Sequence, residues 1–131
     1  MIVLDTSALI AVINHEPERQ KFLQIIAAAE PCLMSAMTLL ETRIVTFGRF
    51  GPAGSGRLDE WLITFNPEIV AFDEAQANVA FAAFSIYGKG VHAKARLNLG
   101  DCAAYALAKS RNLPLLFKGD DFAATGILAA T

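Results

Sequence analysis

Short apolar runs alternate with longer segments of helical periodicity along this chain. Most of the runs contain no polar residue, which is typical of a strand that is buried on both faces of a sheet. The predicted strands are Ile2–Leu4, Cys32–Met34, Ile69–Phe72 and Pro114–Phe117, with Ile127–Ala129 as a candidate edge strand.

The segments between these runs predict helices, and capping residues mark several of their ends. Thr6 or Ser7 is placed to cap the first helix, and Asp73 is placed to cap the helix after the third strand. Gly48–Gly56 holds four glycines and a proline and predicts a loop, as does the basic stretch Gly88–Gly100. The predicted helices cover residues 8–14, 16–29, 36–47, 57–65, 74–87 and 101–111.

This order of elements predicts an α/β fold with a small, mostly parallel central sheet flanked by helices. The chain has no internal repeat, and the Gly48–Gly56 loop is too short to be a domain linker. Residues 1–131 are therefore expected to form a single domain.

Composition places the chain among globular proteins. Hydrophobic residues make up 54% of the 131 residues and charged residues 18%. This high apolar content favours a surface that is buried against a partner, with an Ala-rich core as the alternative explanation. The net charge of −2 argues against a simple nucleic-acid-binding module, which is normally basic. It does not exclude a nuclease whose carboxylates surround metal ions, because the cations reverse the local charge.

Three features of the sequence predict a cytoplasmic location. No apolar stretch reaches the roughly 18 residues that a membrane span requires, and the start of the chain meets Asp5 at once, unlike a signal peptide. Cys32 and Cys102 lie in unrelated apolar contexts, which favours buried free thiols in a reducing compartment over a disulfide.

Carboxylates follow several of the predicted strands. Asp5 ends the first strand, and Asp120 and Asp121 follow the fourth, while Asp101 opens the helix after the basic loop. Taken singly, Asp5 and Asp101 could be helix caps, and Asp120 and Asp121 a polar turn. Glu41 interrupts an apolar helix face, where an unpaired charge costs several kcal/mol. The carboxyl ends of parallel strands gather at one sheet edge, so together these acids predict a site.

Clustered carboxylate oxygens favour Mg²⁺ or Mn²⁺ as the bound ion. Such an ion lowers the pKa of a bound water and neutralises charge on a phosphate oxygen. The chain has no recognisable nucleophile triad, zinc-ligand spacing or glycine-rich phosphate loop. Metal-assisted hydrolysis of a phosphodiester is the chemistry that remains.

Four motifs along the chain resemble those of the VapC branch of the PIN-domain family. They occur in the family's order and cover almost the whole sequence, and their combination is far more specific than any one of them. The motifs are Ile2–Leu9, Ser35–Glu41, Leu97–Cys102 with Tyr105 and Ala106, and Leu115–Phe122.

The resemblance implies an endoribonuclease toxin that depends on Mg²⁺ or Mn²⁺, cuts RNA and forms a homodimer or a higher toxin–antitoxin assembly. It also implies neutralisation by a small VapB-like antitoxin, for which the amphipathic helices before residue 65 are the candidate groove. The implied catalytic and metal-binding acids are Asp5, Glu41, Asp101 and Asp121, with Asp120 as the alternative fourth acid and Thr6 or Ser7 in support. Thr125-Gly126-Ile127 departs from the family's Thr-Asp-Ile and lacks one carboxylate, which puts a second metal ion in doubt.

Cations near these acids are candidate phosphate contacts. Such contacts set affinity and its salt dependence but carry little sequence information. A solvated basic loop is the alternative interpretation, and His92 fits a structural role as well as a functional one. The candidates are Arg43, Lys94, Arg96 and Lys118, with Lys89 and His92 in the same loop as Lys94.

Other functions remain open at this point. A non-catalytic RNA- or protein-binding domain with a PIN-like fold is the main alternative, although binding alone does not require the acids. A haloacid-dehalogenase-like phosphatase would need a second Asp where Ser7 stands, and a receiver domain would need an acidic pair after its first strand.

Overall fold

The structure, a computed structural model, describes all 131 residues and contains a sheet of four strands. The strands are β1 (Ile2–Leu4), β2 (Cys32–Ser35), β3 (Glu68–Val70) and β4 (Leu115–Leu116). The helices are α1 (Thr6–Ile13), α2 (Arg19–Ala28), α3 (Ala36–Phe65), α4 (Glu74–Tyr87) and α5 (Leu99–Arg111), followed by a 3₁₀ turn at Ala123–Thr125. The predicted α/β fold is confirmed.

All neighbouring strands of the sheet are parallel, in the order β3-β2-β1-β4. The central strand β1 pairs with β2 through Ile2 opposite Cys32 and with β4 through Leu4 opposite Leu116. Its pleat sends Val3 into one apolar cluster with α4 and α5, and Ile2 and Leu4 into a second cluster with α1 and α2. Burial on both faces explains why β1 is an unbroken apolar run.

The predicted loop at Gly48–Gly56 is wrong, because α3 runs from Ala36 to Phe65 through this segment. Only Gly51 leaves helical geometry, at φ 63° and ψ −157°, and Pro52 follows it. Proline is acceptable in the first turn of a new helix, where its missing N–H would have no partner. The glycines and the proline therefore produce a kink between two helical halves.

Smaller differences concern element ends. Asp5 caps α1, a role that the sequence had offered for it beside the caps expected at Thr6 or Ser7, and α2 begins at Arg19, after the predicted start. Strand β3 begins at Glu68 and lies at the sheet edge with Ile69 exposed. The predicted edge strand is reduced to one bridge between Ala129 and Leu115.

None of the helices combines the length and the apolar character that crossing a bilayer would require.

Candidate active site

Asp5 lies where β1 ends and α1 begins, and its side chain is buried. The Ser7 backbone N–H and hydroxyl both donate to Asp5 Oδ2, at 3.0 and 2.6 Å. The other oxygen, Oδ1, is buried without a hydrogen-bond partner. Burial raises the pKa of Asp5 to about 6, against the effect of the Ser7 hydrogen bonds and with a contribution from nearby Glu41.

Glu41 lies near the start of α3 and is held by α1. The Thr6 hydroxyl donates to Glu41 Oε1 at 2.6 Å, and Thr6 Oγ1 lies 3.0 Å from Thr42 Oγ1. Ser7 therefore orients Asp5, whereas Thr6 orients Glu41. Both expected supporting hydroxyls contact acids of the candidate site.

Asp101 belongs to the first turn of α5 and takes part in its capping box. Asp101 Oδ2 accepts from the Asn98 backbone N–H at 3.0 Å, and Asn98 Oδ1 accepts from the Asp101 N–H at 2.9 Å. Burial raises the pKa of Asp101 to about 7, and the negative charges of Asp5, Asp121 and Glu41 add to this rise. Capping and a site role are thus compatible, because the cap occupies one of the two carboxylate oxygens.

Asp120 and Asp121 are exposed in the turn after β4. The negative charge of Asp121 contributes to raising the pKa of Asp101. The Lys118 backbone N–H donates to Ser7 Oγ at 2.9 Å, so the turn is tied to the same hydroxyl that holds Asp5. This arrangement favours Asp121 as the fourth acid.

The donor atoms fit a hydrated divalent cation. The unpartnered Asp5 Oδ1 is an anionic oxygen in a dehydrated position, and a positive ion would offset the repulsion that adds to the effect of burial on the pKa of Asp101. In the conformation of the structure, no three His, Cys, Asp or Glu side chains are arranged to hold an ion directly. Mg²⁺ usually keeps several water molecules and binds through one or two carboxylates, so the two observations agree.

Two of the candidate phosphate-binding cations are paired with carboxylates. Arg43 Nη1 lies 2.8 Å from Asp59 Oδ1, across the kink of α3. Lys118 Nζ contacts Glu16 Oε1 and lies 3.1 Å from Glu18 Oε2, in the turn between α1 and α2. The sequence analysis did not predict these ion pairs, each of which joins two residues of this chain.

Lys94 and Arg96 belong to an exposed loop between α4 and α5 and take part in none of the ion pairs. Arg96 adopts the left-handed conformation, with φ 52°. Only Leu97 separates it from Asn98, which caps the helix that carries Asp101. The loop therefore leads directly into the helix that carries Asp101.

Gly100 is a site residue that sequence analysis missed. A Cβ at this position would lie 1.9 Å from Glu41 Oε2, so the absence of a side chain lets the Glu41 carboxylate approach α5. The available signal was a glycine directly before Asp101, in the first turn of a helix, where glycine is otherwise unfavourable.

Gly126, where the expected carboxylate is lacking, ends the 3₁₀ turn with φ 76°. This is a left-handed conformation that glycine adopts without strain. The local backbone is therefore suited to glycine.

The sequence matches the PIN domain family over residues 2–128. It is 46% identical over 126 residues to ribonuclease VapC30 of Mycobacterium tuberculosis, an alignment that covers 96% of this chain and 95% of that protein. It is 44% identical to ribonuclease VapC of Mycolicibacterium smegmatis, with 98% of each chain covered.

Solved structures share the fold at lower identity. VapC20 of M. tuberculosis, described as a toxin that cleaves the sarcin-ricin loop, has a TM-score of 0.78 at 16% identity and covers 98% of this chain and 97% of its own. VapBC2 of Rickettsia felis, bound to a DNA fragment from its promoter, has a TM-score of 0.73 at 19% identity, with coverage of 98% and 96%.

Proposed function

The chain belongs to the PIN-domain family, in its VapC ribonuclease branch, and on this premise we propose that its endoribonuclease reaction takes place at the pocket of Asp5, Glu41, Asp101 and Asp121. The observation that carries this assignment is the meeting of acids from distant parts of the chain. Asp5, Asp121 and Glu41 all contribute to raising the pKa of Asp101. A cluster of this kind has no evident value for folding alone, since like charges destabilise it.

The cofactor of this pocket is Mg²⁺ or Mn²⁺. When bound, such an ion neutralises charge on the phosphate and makes hydroxide available near neutral pH. One or two of the four acids would bind it directly and the others through water, and their neighbours restrict the orientation of three of the acids. Ser7 occupies one oxygen of Asp5, Thr6 one oxygen of Glu41, and the Asn98 N–H one oxygen of Asp101. In each case the hydrogen bond leaves the second oxygen available.

The substrate is RNA, and the loop between α4 and α5 supplies its phosphate contacts. Lys94 and Arg96 are exposed and without carboxylate partners, and the chain connects them directly to the capping box of Asp101. Arg43 and Lys118 are weaker candidates, because their charges are already satisfied within the protein.

The partners of the chain are a VapB-like antitoxin and a second copy of the toxin. Toxin–antitoxin complexes are among its structural relatives. Leu40, Ile44 and Phe47 form an exposed stripe on α3 at helical spacing, and Leu99 on α5 is 73% exposed. Such contiguous apolar surface is typical of a protein interface. A separate groove between α2 and the end of α3, lined by residues that include Ile26 and Phe65, supports the earlier candidate for antitoxin binding.

A cytoplasmic location and a single domain over residues 1–131 complete the proposal. The location is supported by Cys32 and Cys102, which are free and buried, as expected in a reducing compartment. The single domain is supported by a sheet whose adjacent strands β1 and β4 come from opposite ends of the chain.

The test is cleavage of single-stranded RNA by the purified chain with and without Mg²⁺. Asp5→Asn and Asp101→Asn should each lower the rate by at least about a hundredfold, because removing a metal ligand is more severe than removing its hydrogen-bond partner. Asp73→Asn is the matched control, since Asp73 caps α4 and lies outside the pocket. Undiminished cleavage by the Asp5 and Asp101 variants would place the reaction elsewhere.

A further inference from the structure

The loop from Lys89 to Arg96 is closed by its own backbone. The Lys89 N–H donates to Leu97 O at 2.8 Å, and the Leu97 N–H donates to Tyr87 O at 2.9 Å, which joins the two ends. Within the loop, the His92 N–H donates to Gly88 O at 2.9 Å. In the first half of the loop, the N–H groups of Lys89 and His92 therefore have backbone acceptors.

The second half of the loop relies on a side chain. His92 Nδ1 accepts from the Lys94 backbone N–H at 3.1 Å and from the Ala95 N–H at 2.9 Å. The ring also packs near Tyr87, with 5.8 Å between ring centroids, and Tyr87 packs near Tyr105 at 6.0 Å. One imidazole nitrogen thus takes the place of backbone carbonyls where the chain turns towards Arg96.

We propose that His92 is a positioning residue, whose unprotonated Nδ1 sets the loop that presents Lys94 and Arg96 to an RNA phosphate, and that protonation of the ring releases this loop. The proposal rests on the proposed function of the loop in RNA binding. Two backbone donors point at Nδ1, so the neutral ring must carry its proton on Nε2. A proton added to Nδ1 would face both donors and break both hydrogen bonds.

The surroundings of His92 give a protonated ring no compensating partner. Lys89 and Arg96 line the same surface depression as His92, Lys94 is in the same loop, and the nearest ring on α4 is Tyr87. None of the ion pairs involves His92. A cationic ring would therefore repel its neighbours as well as the two donors.

This role predicts a pH dependence of opposite sign to that of a direct phosphate contact. A histidine that touched phosphate would bind RNA more tightly when protonated, because its charge would attract the anion. A histidine that accepts two backbone N–H groups should bind RNA less tightly on acidification. The difference in sign separates the two roles without knowledge of the RNA sequence.

The experiment measures the affinity of the full chain for a short single-stranded RNA, by fluorescence anisotropy, in EDTA and between about pH 7.5 and pH 5.5. His92→Asn is the matched variant, because Asn Oδ1 is an acceptor at the same number of bonds from the backbone as Nδ1 and does not titrate. All other titrating groups, including Asp5 and Asp101, are common to both proteins. Acidification should weaken wild-type binding relative to His92→Asn by about tenfold, as expected for two lost hydrogen bonds.

His92→Gln places its acceptor one bond further out, near the position of Nε2, and His92→Leu removes it. Both should bind RNA about tenfold more weakly than His92→Asn at pH near 7.5, with a higher KM for cleavage and little change in kcat. Preserved binding in the Gln variant but not the Asn variant would overturn the proposal, as would wild-type affinity that rises on acidification relative to the Asn variant.

A structural measurement and two cation variants separate this inference from the proposed function. The ¹⁵N shifts of His92 should report a proton on Nε2, and the Lys94 and Ala95 amides should lose exchange protection in His92→Leu. Should Lys94→Ala and Arg96→Ala leave RNA binding unchanged, the role of the loop itself is wrong. If Lys94→Ala and Arg96→Ala bind RNA more weakly but His92→Leu binds it as tightly as the wild type, only the positioning role of His92 is rejected.

Discussion

At the scale of single residues, the structure distinguishes cations that are available to a substrate from cations that hold the protein together. Lys118 was expected to bind phosphate, yet its ammonium group contacts Glu16 and Glu18 while its backbone N–H donates to Ser7 Oγ. Its contacts connect the turn that carries Asp121 to the start of α1 and to the turn after it. Lys94 has no such partners.

This difference gives a prediction for Lys118→Met and Lys94→Met. Lys94→Met should weaken RNA binding and lower the slope of log affinity against log salt by about 0.7, as for one lost phosphate contact. Lys118→Met should leave that slope unchanged and lower kcat by about twofold to fivefold, because the Asp121 turn loses a surface anchor. If both variants lower the salt slope equally, Lys118 contacts an RNA phosphate as Lys94 does.

At the scale of elements, the pocket depends on the close approach of α3 and α5. Gly100 allows this approach, because the Glu41 carboxylate occupies the space where any side chain of residue 100 would begin. The buried residues Cys102 to Ala108 fix α5 in the core, so the helix is unable to move aside. A change at Gly100 must therefore displace Glu41.

Gly100→Ala is expected to lower RNA cleavage by at least about tenfold, since Glu41 would lose its position and its Thr6 hydrogen bond. Thermal stability should change little, because alanine favours a helix over glycine by about 1 kcal/mol and so offsets part of the strain. Gly56→Ala is the control, since a Cβ there meets nothing within 4 Å. Equal activity of the two variants would argue against the importance of this contact.

The sequence predicted most elements, and the misses have physical causes. Strands β1 and β2 were found because burial on both faces leaves an unbroken apolar run. The kink of α3 was predicted as a loop, because glycine and proline favour a turn locally and only tertiary packing decides otherwise. Gly54 packs there against Phe50 and Thr46.

The acids of the candidate site were predicted from their places at strand and helix ends, which a parallel sheet brings to one edge. The hydrogen bonds between Thr6 and Glu41, or between Ser7 and the Lys118 backbone, link residues 35 and 111 positions apart. Local pattern carries no information on such pairs, which is why the ion pairs of Lys118 and the contact at Gly100 were not predicted.

At the scale of the whole molecule, folding places carboxylates where their charged forms are unfavourable. The pKa of Asp5 is raised from 3.8 to about 6 and that of Asp101 from 3.8 to about 7, in both cases mainly by burial. Between pH 3.8 and about pH 7, the folded chain therefore binds more protons than the unfolded chain. Without a cation, these two groups make stability fall as pH rises through this window.

We therefore expect the melting temperature in EDTA to be higher near pH 5 than near pH 8, by on the order of 5 °C. Saturating Mn²⁺ should remove most of this difference by stabilising the charged acids at the higher pH, with release of protons on binding. Asp101→Asn should reduce the pH dependence, while Asp73→Asn should not. A melting temperature that rises with pH in EDTA would contradict the raised pKa values of Asp5 and Asp101.

The strand order also affects a chain during its synthesis. Ribosomes release the amino-terminal residues first, and β1 remains without one of its two neighbours until residues 115–116 emerge. During this time Asp5 lacks Asp101 and Asp121 as neighbours, because both are translated later. The proposed pocket therefore stays incomplete on a nascent chain until residue 121 has left the ribosome.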